Sequence, residues 1–272
     1  VTQCRAAVLG SPIGHSLSPV LHRTAYATLG LNWSYDAIDV DEARLASFID
    51  SCGPEWAGLS LTMPLKTAVL PLLDDISAVA QVTGAANTVI FDGGQRRGDN
   101  TDVAGMVAAL RAAASDPLAA SEVAIIGGGA TARSAVAAAS LLDATHVVAA
   151  VRSPARAAGL VEVGERLGVR VTLRAWGEAG DLLNRAVVIS TVPWGAADHL
   201  VADVPAQPGA LLDVAYAQEP PALTRAWQTV GGVLADGLDL LLWQAVDQVR
   251  LMTGREPEVE PMRVALRAAA AG

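Results

Sequence analysis

Cysteine is almost missing from this chain of 272 residues: only Cys4 and Cys52 occur, with no Cys-x-x-Cys and no histidine pair beside them. That excludes the usual structural zinc patterns and makes a disulfide unexpected, so two reduced thiols in a cytoplasmic protein are the expectation. Long apolar runs are lacking too. No segment approaches the ~20 consecutive apolar residues that a bilayer crossing needs. The chain opens on strand-like Arg5-Ala6-Ala7-Val8-Leu9, not on a basic stretch leading into an apolar one. There is no surplus of basic charge either. The formal net charge is −9, which argues against nucleic acid as a partner, because phosphates call for a basic face. An anionic cofactor would therefore need a local basic pocket. Repeats and low-complexity tracts are absent apart from an alanine bias. These absences point to a soluble protein that meets a small molecule, with no membrane, no nucleic acid and no metal.

What is present is a regular alternation of strand-like and helix-like stretches, in a length that suits two domains of ~100–150 residues. Strands are expected at 5–9, 33–40, 56–62, 87–91, 123–126, 146–151, 169–173, 187–191, 210–215 and 233–236. Ser18 is expected to cap the first helix, with Pro19 just inside it and Gly30 ending it; Asp41 is expected to cap the next. Further helical stretches fall at about 76–82, from Asn100-Thr101-Asp102 to Ala114, from Leu238 to Met252, and at 260–271, with a break at Ser115-Asp116-Pro117. This is an α/β chain with mostly parallel sheets.

Val123-Ala124-Ile125-Ile126 runs into Gly127-Gly128-Gly129-Ala130-Thr131-Ala132. Gly127-x-Gly129-x-x-Ala132 fits the dinucleotide fingerprint, in which one glycine turns the chain, the next admits the pyrophosphate, and a small third residue lets helix meet strand. The N–H groups opening the helix, at Gly128 to Thr131, then face the phosphates. At the end of the next strand an acidic residue would bind the ribose 2′-hydroxyl of NAD. This chain instead has Arg152-Ser153-Pro154-Ala155-Arg156, which suits the 2′-phosphate of NADP.

Lys66 follows a strand end and Pro64, where a βα loop reaches the carboxyl edge of a sheet. A lysine can act as general acid or base, although a solvated surface charge would look the same. Asp102 could equally offset a helix macrodipole, with Thr101 as cap. Asn87 and Asn100 belong to polar clusters that a plain core does not need. Gly10 to Pro19 places the hydroxyls of Ser16 and Ser18 beside a helix start, a setting that suits a carboxylate. Gly14-His15-Ser16 begins like a serine-hydrolase elbow, but Ser18 replaces the closing glycine. His15 and His22 stay open between structural and catalytic roles.

Taken in order, these segments resemble the shikimate dehydrogenase family over nearly the whole chain. Gly10 to His22 matches its G-x-P-I-x-H-S-x-S-P-x-x-H, implying that Ser16 and Ser18 hold the substrate carboxylate. Ser60 to Lys66 stands for N-V-T-x-P-x-K, implying Lys66 as acid/base and Thr62 as a substrate contact. Gly84 to Val89 matches G-A-x-N-T-V, with Asn87 on substrate hydroxyls. Gly98 to Gly105 matches G-x-N-T-D-x-x-G, with Asp102 as partner of Lys66. Asp213-Val214-Ala215-Tyr216, Gly237-Leu238 and Gln244 resemble the later motifs. They imply Val214 and Gly237 on the cofactor, and Tyr216 and Gln244 on the substrate.

The resemblance implies an N-terminal α/β substrate domain (1–103 plus 238–272), a Rossmann-like NADP domain (104–237) and a cleft between them. The reaction implied is the reversible reduction of 3-dehydroshikimate by NADPH in chorismate and aromatic amino acid biosynthesis, in the cytoplasm, with a homodimer left open. Departures are Ser60 for asparagine, with a shorter or water-mediated contact expected; Arg23 for asparagine, with no obvious consequence; Val151-Arg152-Ser153 for Asn-Arg-Thr; and Ala217-Gln218-Glu219-Pro220 after the tyrosine. A quinate/shikimate dehydrogenase using NAD is one alternative, and a non-catalytic NADP-sensing protein of the same fold is another. Arg152 and the Ser16/Ser18 pair speak against the first, the joint presence of Lys66 and Asp102 against the second.

Overall fold

The computed structural model describes residues 4–114, 120–217 and 219–271. Ser115-Asp116-Pro117 and Gln218 lie outside the described residues. The chain divides into two compact units, Val1–Thr101 with Gln244–Gly272, and Asp102–Trp243.

The first unit opens with β1 (Cys4–Gly10), α1 (Ser18–Thr28), β2 (Trp33–Asp39), α2 (Glu42–Asp50) and β3 (Trp56–Leu61). There follow α3 (Leu65–Ala68), β4 (Asp75–Ile76), α4 (Ala78–Thr83), β5 (Thr88–Asp92) and β6 (Gln95–Asp99). Its sheet has the order β2-β1-β3-β5-β6-β4. The inner residues of β1 and β3 and the apolar stripe of α2, Leu45 and Ile49, share one core with Leu65 and Val89. Asp41 caps α2 as expected, accepting from the Arg44 N–H at 3.0 Å. Ser18 does not cap α1: it is the first helical residue, and its own N–H donates to Ser16 Oγ at 3.3 Å. Pro19 at the start of the helix, which lacks an N–H to satisfy, fits that position. Gly30 takes the left-handed φ of +65° just past the helix end.

Not every strand here is parallel. β5 runs antiparallel to both β3 and β6, and β6 was not anticipated. The turn Asp92-Gly93-Gly94-Gln95, with φ of +57° and +85° at its two glycines, is a tight hairpin connection. Two residues can join antiparallel strands but cannot make a parallel crossover.

The second unit contains α5 (Asp102–Ala113), β7 (Glu122–Ile126), α6 (Ala130–Ser140), β8 (His146–Val151), α7 (Ala158–Leu167) and β9 (Arg170–Ala175). It continues with β10 (Val187–Ser190), β11 (Ala210–Asp213), α8 (Ala222–Thr229) and β12 (Val233–Ala235). All six strands are parallel, in the order β12-β11-β10-β7-β8-β9. Val123 through Ile126 are fully buried, as expected of a strand covered on both faces. The chain order reverses around β7, which makes its carboxyl end the switch point of a doubly wound sheet. Finally α9 (Gly237–Thr253) leads to α10 (Val259–Ala271), which packs on α1. Among the described residues no helix is long and apolar enough to cross a membrane.

Candidate active site

In the first unit the sequence-singled residues gather at the carboxyl edge of β1 and β3. The two βα loops are tied together there: Thr62 N–H donates to Leu9 O at 2.9 Å and Ser11 N–H to Met63 O at 3.2 Å. A side chain at Gly10 would sit 2.4 Å from Thr62 Cγ2, so only glycine admits this approach. Thr62 O accepts from Leu65 N–H at 2.8 Å as the chain turns into the short α3 that carries Lys66. The Lys66 carbonyl in turn accepts from Ala86 N–H at 2.8 Å, which fixes Lys66 beside the segment leading to Asn87. Ser16 is half-buried and Ser18 buried where α1 starts.

Asn87 is the hub of a buried polar cluster. Its Oδ1 accepts from Thr101 N–H at 2.9 Å and from Thr88 Oγ1 at 2.8 Å, and its Nδ2 donates to Thr101 Oγ1 at 2.9 Å and Gln244 Oε1 at 3.4 Å. Thr101 spends its hydroxyl here. Asn100 braces the neighbouring loop by donating to Thr83 Oγ1 and Ala85 O, both at 3.0 Å. Asp102, the next residue after Thr101, is buried in the first turn of α5.

Two further members, Tyr35 and Gln248, were not legible from local pattern, and they join Ser60 and His22. Tyr35 donates to Ser60 Oγ at 2.6 Å, Ser60 donates to Gln248 Oε1 at 2.7 Å, and His22 Nε2 meets that same oxygen at 3.2 Å. Ser60 thus makes a direct contact that reaches α9. Arg23, thought to be without consequence, binds Tyr35 O at 2.8 Å and Asp36 Oδ1 at 2.9 Å, tying α1 to β2. Burial takes the His22 imidazole down to about 3, against the raising effect of the Gln248 hydrogen bond.

In the second unit Gly127 sits at the end of β7 with φ +126°, and an added Cβ would lie 2.3 Å from Thr191 Oγ1. Gly129 faces open space, and α6 starts behind it with neither a side-chain cap nor an acidic residue in its first turn. Ala132 is fully buried against the sheet. At Gly128 the packing is tight for a reason outside the fingerprint, since a Cβ there would lie 3.1 and 3.2 Å from side-chain carbons of Ala157 and Val151. Ala130 and Thr131 form the first turn of α6. Arg152 and Arg156 are exposed just past β8, on either side of half-buried Ser153, and neither has an ion-pair partner among the described residues.

An open glycine turn, an uncapped helix start and unengaged guanidinium groups fit a dinucleotide with a 2′-phosphate. Beyond β11, Val214 N–H donates to Ser190 O at 3.0 Å, and Gly237 approaches so closely that a Cβ would lie 2.7 Å from both Val214 O and Ala215 O. Tyr216 is partly buried, and burial pushes its phenol pKa up. Burial likewise raises the Asp213 carboxyl, opposed by hydrogen bonds from Thr224 and the Ala215 N–H.

A doubly wound parallel sheet with this turn defines the class of dinucleotide-fold proteins, here joined to a second α/β unit. Two family models match the chain: the shikimate dehydrogenase substrate binding domain over residues 8–89 and the shikimate 5'-dehydrogenase C-terminal domain over residues 237–267. The shikimate dehydrogenase (NADP(+)) of Thermus thermophilus is 37% identical over 266 residues, covering 97% of this chain and 98% of its own. The crystal structure of Mycobacterium tuberculosis shikimate dehydrogenase matches with a TM-score of 0.90 and 38% identity, over 97% of this chain and 99% of that one. A Thermus thermophilus shikimate 5-dehydrogenase, solved with NADP(H) and shikimate, matches with a TM-score of 0.86 and 32% identity, over 98% and 100%. The chain belongs to the shikimate dehydrogenase family.

Proposed function

We propose that this protein catalyses the reversible, NADPH-dependent reduction of 3-dehydroshikimate to shikimate, a cytoplasmic step toward chorismate and the aromatic amino acids. The observation that carries the reading is the buried cluster of Asn87, Thr101 and Gln244 beside the segment that anchors Lys66. It is a set of oriented amides and hydroxyls suited to a polyhydroxylated ring. NADPH, when bound, supplies the hydride to the ketone carbon. Gly127 to Thr131, Val214 and Gly237 hold the dinucleotide, and Arg152, Ser153 and Arg156 hold its adenosine end.

Ser16 and Ser18 donate to the substrate carboxylate, while Thr62, Asn87, Gln244 and Tyr216 orient the ring. Lys66 gives its proton to the ketone oxygen as negative charge develops there, and Asp102 keeps the substrate hydroxyl and Lys66 in register. Oxidation reverses these roles. In this reading residues 1–103 with 238–272 form the substrate domain and 104–237 the NADP domain.

The test is a set of four initial rates, shikimate or quinate with NADP+ or NAD+. Turnover concentrated in the shikimate and NADP+ pair is expected. Strong quinate or NAD+ turnover would overturn the specificity, and cofactor binding without turnover would favour a sensing protein instead.

A further inference from the structure

Ser60 and Thr88 are register partners where β3 and β5 pair antiparallel, so their side chains leave the sheet on one face. Gln248 of α9 spans the two. Its Oε1 accepts from Ser60 Oγ at 2.7 Å, and its Nε2 donates to Thr88 Oγ1 at 3.1 Å and Asn87 O at 3.2 Å.

The directions of these bonds are not free. A backbone carbonyl only accepts, so Nε2 must be the end of the Gln248 amide that faces Asn87. Oε1 then faces His22, whose Nε2 must carry the proton it donates, leaving Nδ1 to accept from Tyr26 OH at 3.4 Å. With its hydroxyl oxygen occupied by Gln248, Thr88 donates to Asn87 Oδ1 at 2.8 Å. Thr101 N–H, which only donates, arrives at that same oxygen at 2.9 Å. Two donors therefore hold Asn87 Oδ1 inward and set its Nδ2 as the donating end. His22, Tyr35, Ser60, Thr88, Asn87 and Gln248 are all buried, so no bulk water can replace a missing link.

We infer that Gln248 is a positioning residue: through Thr88 and the Asn87 carbonyl it fixes which way the Asn87 amide faces the substrate. This rests on the reading of Asn87 as a substrate contact. Gln248→Met keeps the length of the side chain and removes its amide; Thr88→Val removes only the hydroxyl that passes the constraint on, and Thr88→Ser restores it.

Steady-state kinetics in shikimate and in NADP+ is the test. In Gln248→Met and in Thr88→Val, kcat/KM for shikimate should fall about tenfold, with the KM for NADP+ held within about twofold. Thr88→Ser should recover most of the loss. A Gln248→Met protein with unchanged shikimate kinetics overturns the inference, as does a parallel loss in both substrates. Failure of both Gln248→Met and Thr88→Val to fold would overturn it as well, since the role would then be structural alone. An inactive wild-type chain would overturn the functional reading instead, so the two failures are distinguishable.

Discussion

Acidification tests the burial of His22 directly. The ring is fully buried, stacked on Tyr35 with centroids 3.9 Å apart and planes within 11°, and edge-on to Tyr26 at 5.8 Å. Desolvation holds its pKa at about 3 in the folded chain, against about 6.5 for an imidazole in water. Above about pH 6.5 the ring is neutral whether the chain is folded or not, and the full stability is present. Between about 6.5 and 3 the unfolded chain binds a proton that the folded one refuses, so stability falls by about 1.4 kcal/mol per pH unit. Below that window both states are protonated and the loss levels off.

At about pH 4.5 this single group should have removed about 2.7 kcal/mol, a large share of the roughly 5–15 kcal/mol that holds a domain together. His22→Gln keeps a polar side chain and removes the titration. Urea unfolding of both proteins, at half-unit pH steps from about 7.5 to 4.5, isolates the term, because carboxylates common to the two cancel in the difference. The variant should start less stable at neutral pH, having lost the stack on Tyr35, and the gap should close as the pH falls. A difference that stays flat across the window would refute the claim that His22 is buried neutral.

Two further outcomes concern the chemistry. Lys66→Ala should lower turnover by about two to four orders of magnitude, the usual worth of a positioned acid or base, while NADP+ binding measured by fluorescence stays near that of the wild type; near-normal turnover would remove Lys66 from the mechanism. Arg152→Ala should weaken NADPH and spare NADH, read from the KM of each. An equal effect on both would end the case for a 2′-phosphate contact.

The parts legible in the sequence are those whose cause is local. β7 announced itself by four consecutive buried apolar residues, and the glycine turn by spacings that backbone geometry demands. β6 did not, because Gln95-Arg96-Arg97-Gly98-Asp99 shows no apolar alternation even though it lies between β5 and β4. Its signal was the Asp92-Gly93-Gly94 turn, which by itself calls for a hairpin. Ser18 was misread as a cap because a hydroxyl just before a helical pattern has the look of one; the helix starts one residue earlier than a Ser18 cap requires, so Leu17 takes the cap position and no side chain caps it. The bond between His22 and Gln248 joins positions 226 apart, a pairing set wholly by how α1 and α9 meet, and no local pattern encodes it.

Composition held one more signal. Of the 19 basic residues 18 are arginine, and Lys66 is the only lysine. An arginine stays charged at any working pH and offers a rigid fork for phosphate, whereas a lysine can surrender its proton. Beside Lys66, the side chains most often used to move a proton in catalysis are the four histidines. His22 is buried neutral, His146 is pinned between Glu122 and Thr172, and His199 lies against Trp176. His15 sits exposed in the loop after β1. Lys66 alone is anchored through its own backbone to the residue before Asn87. That the one lysine of the chain stands at this point, and not in one of the ion pairs that arginines make elsewhere, supports the proposal that Lys66 carries the proton.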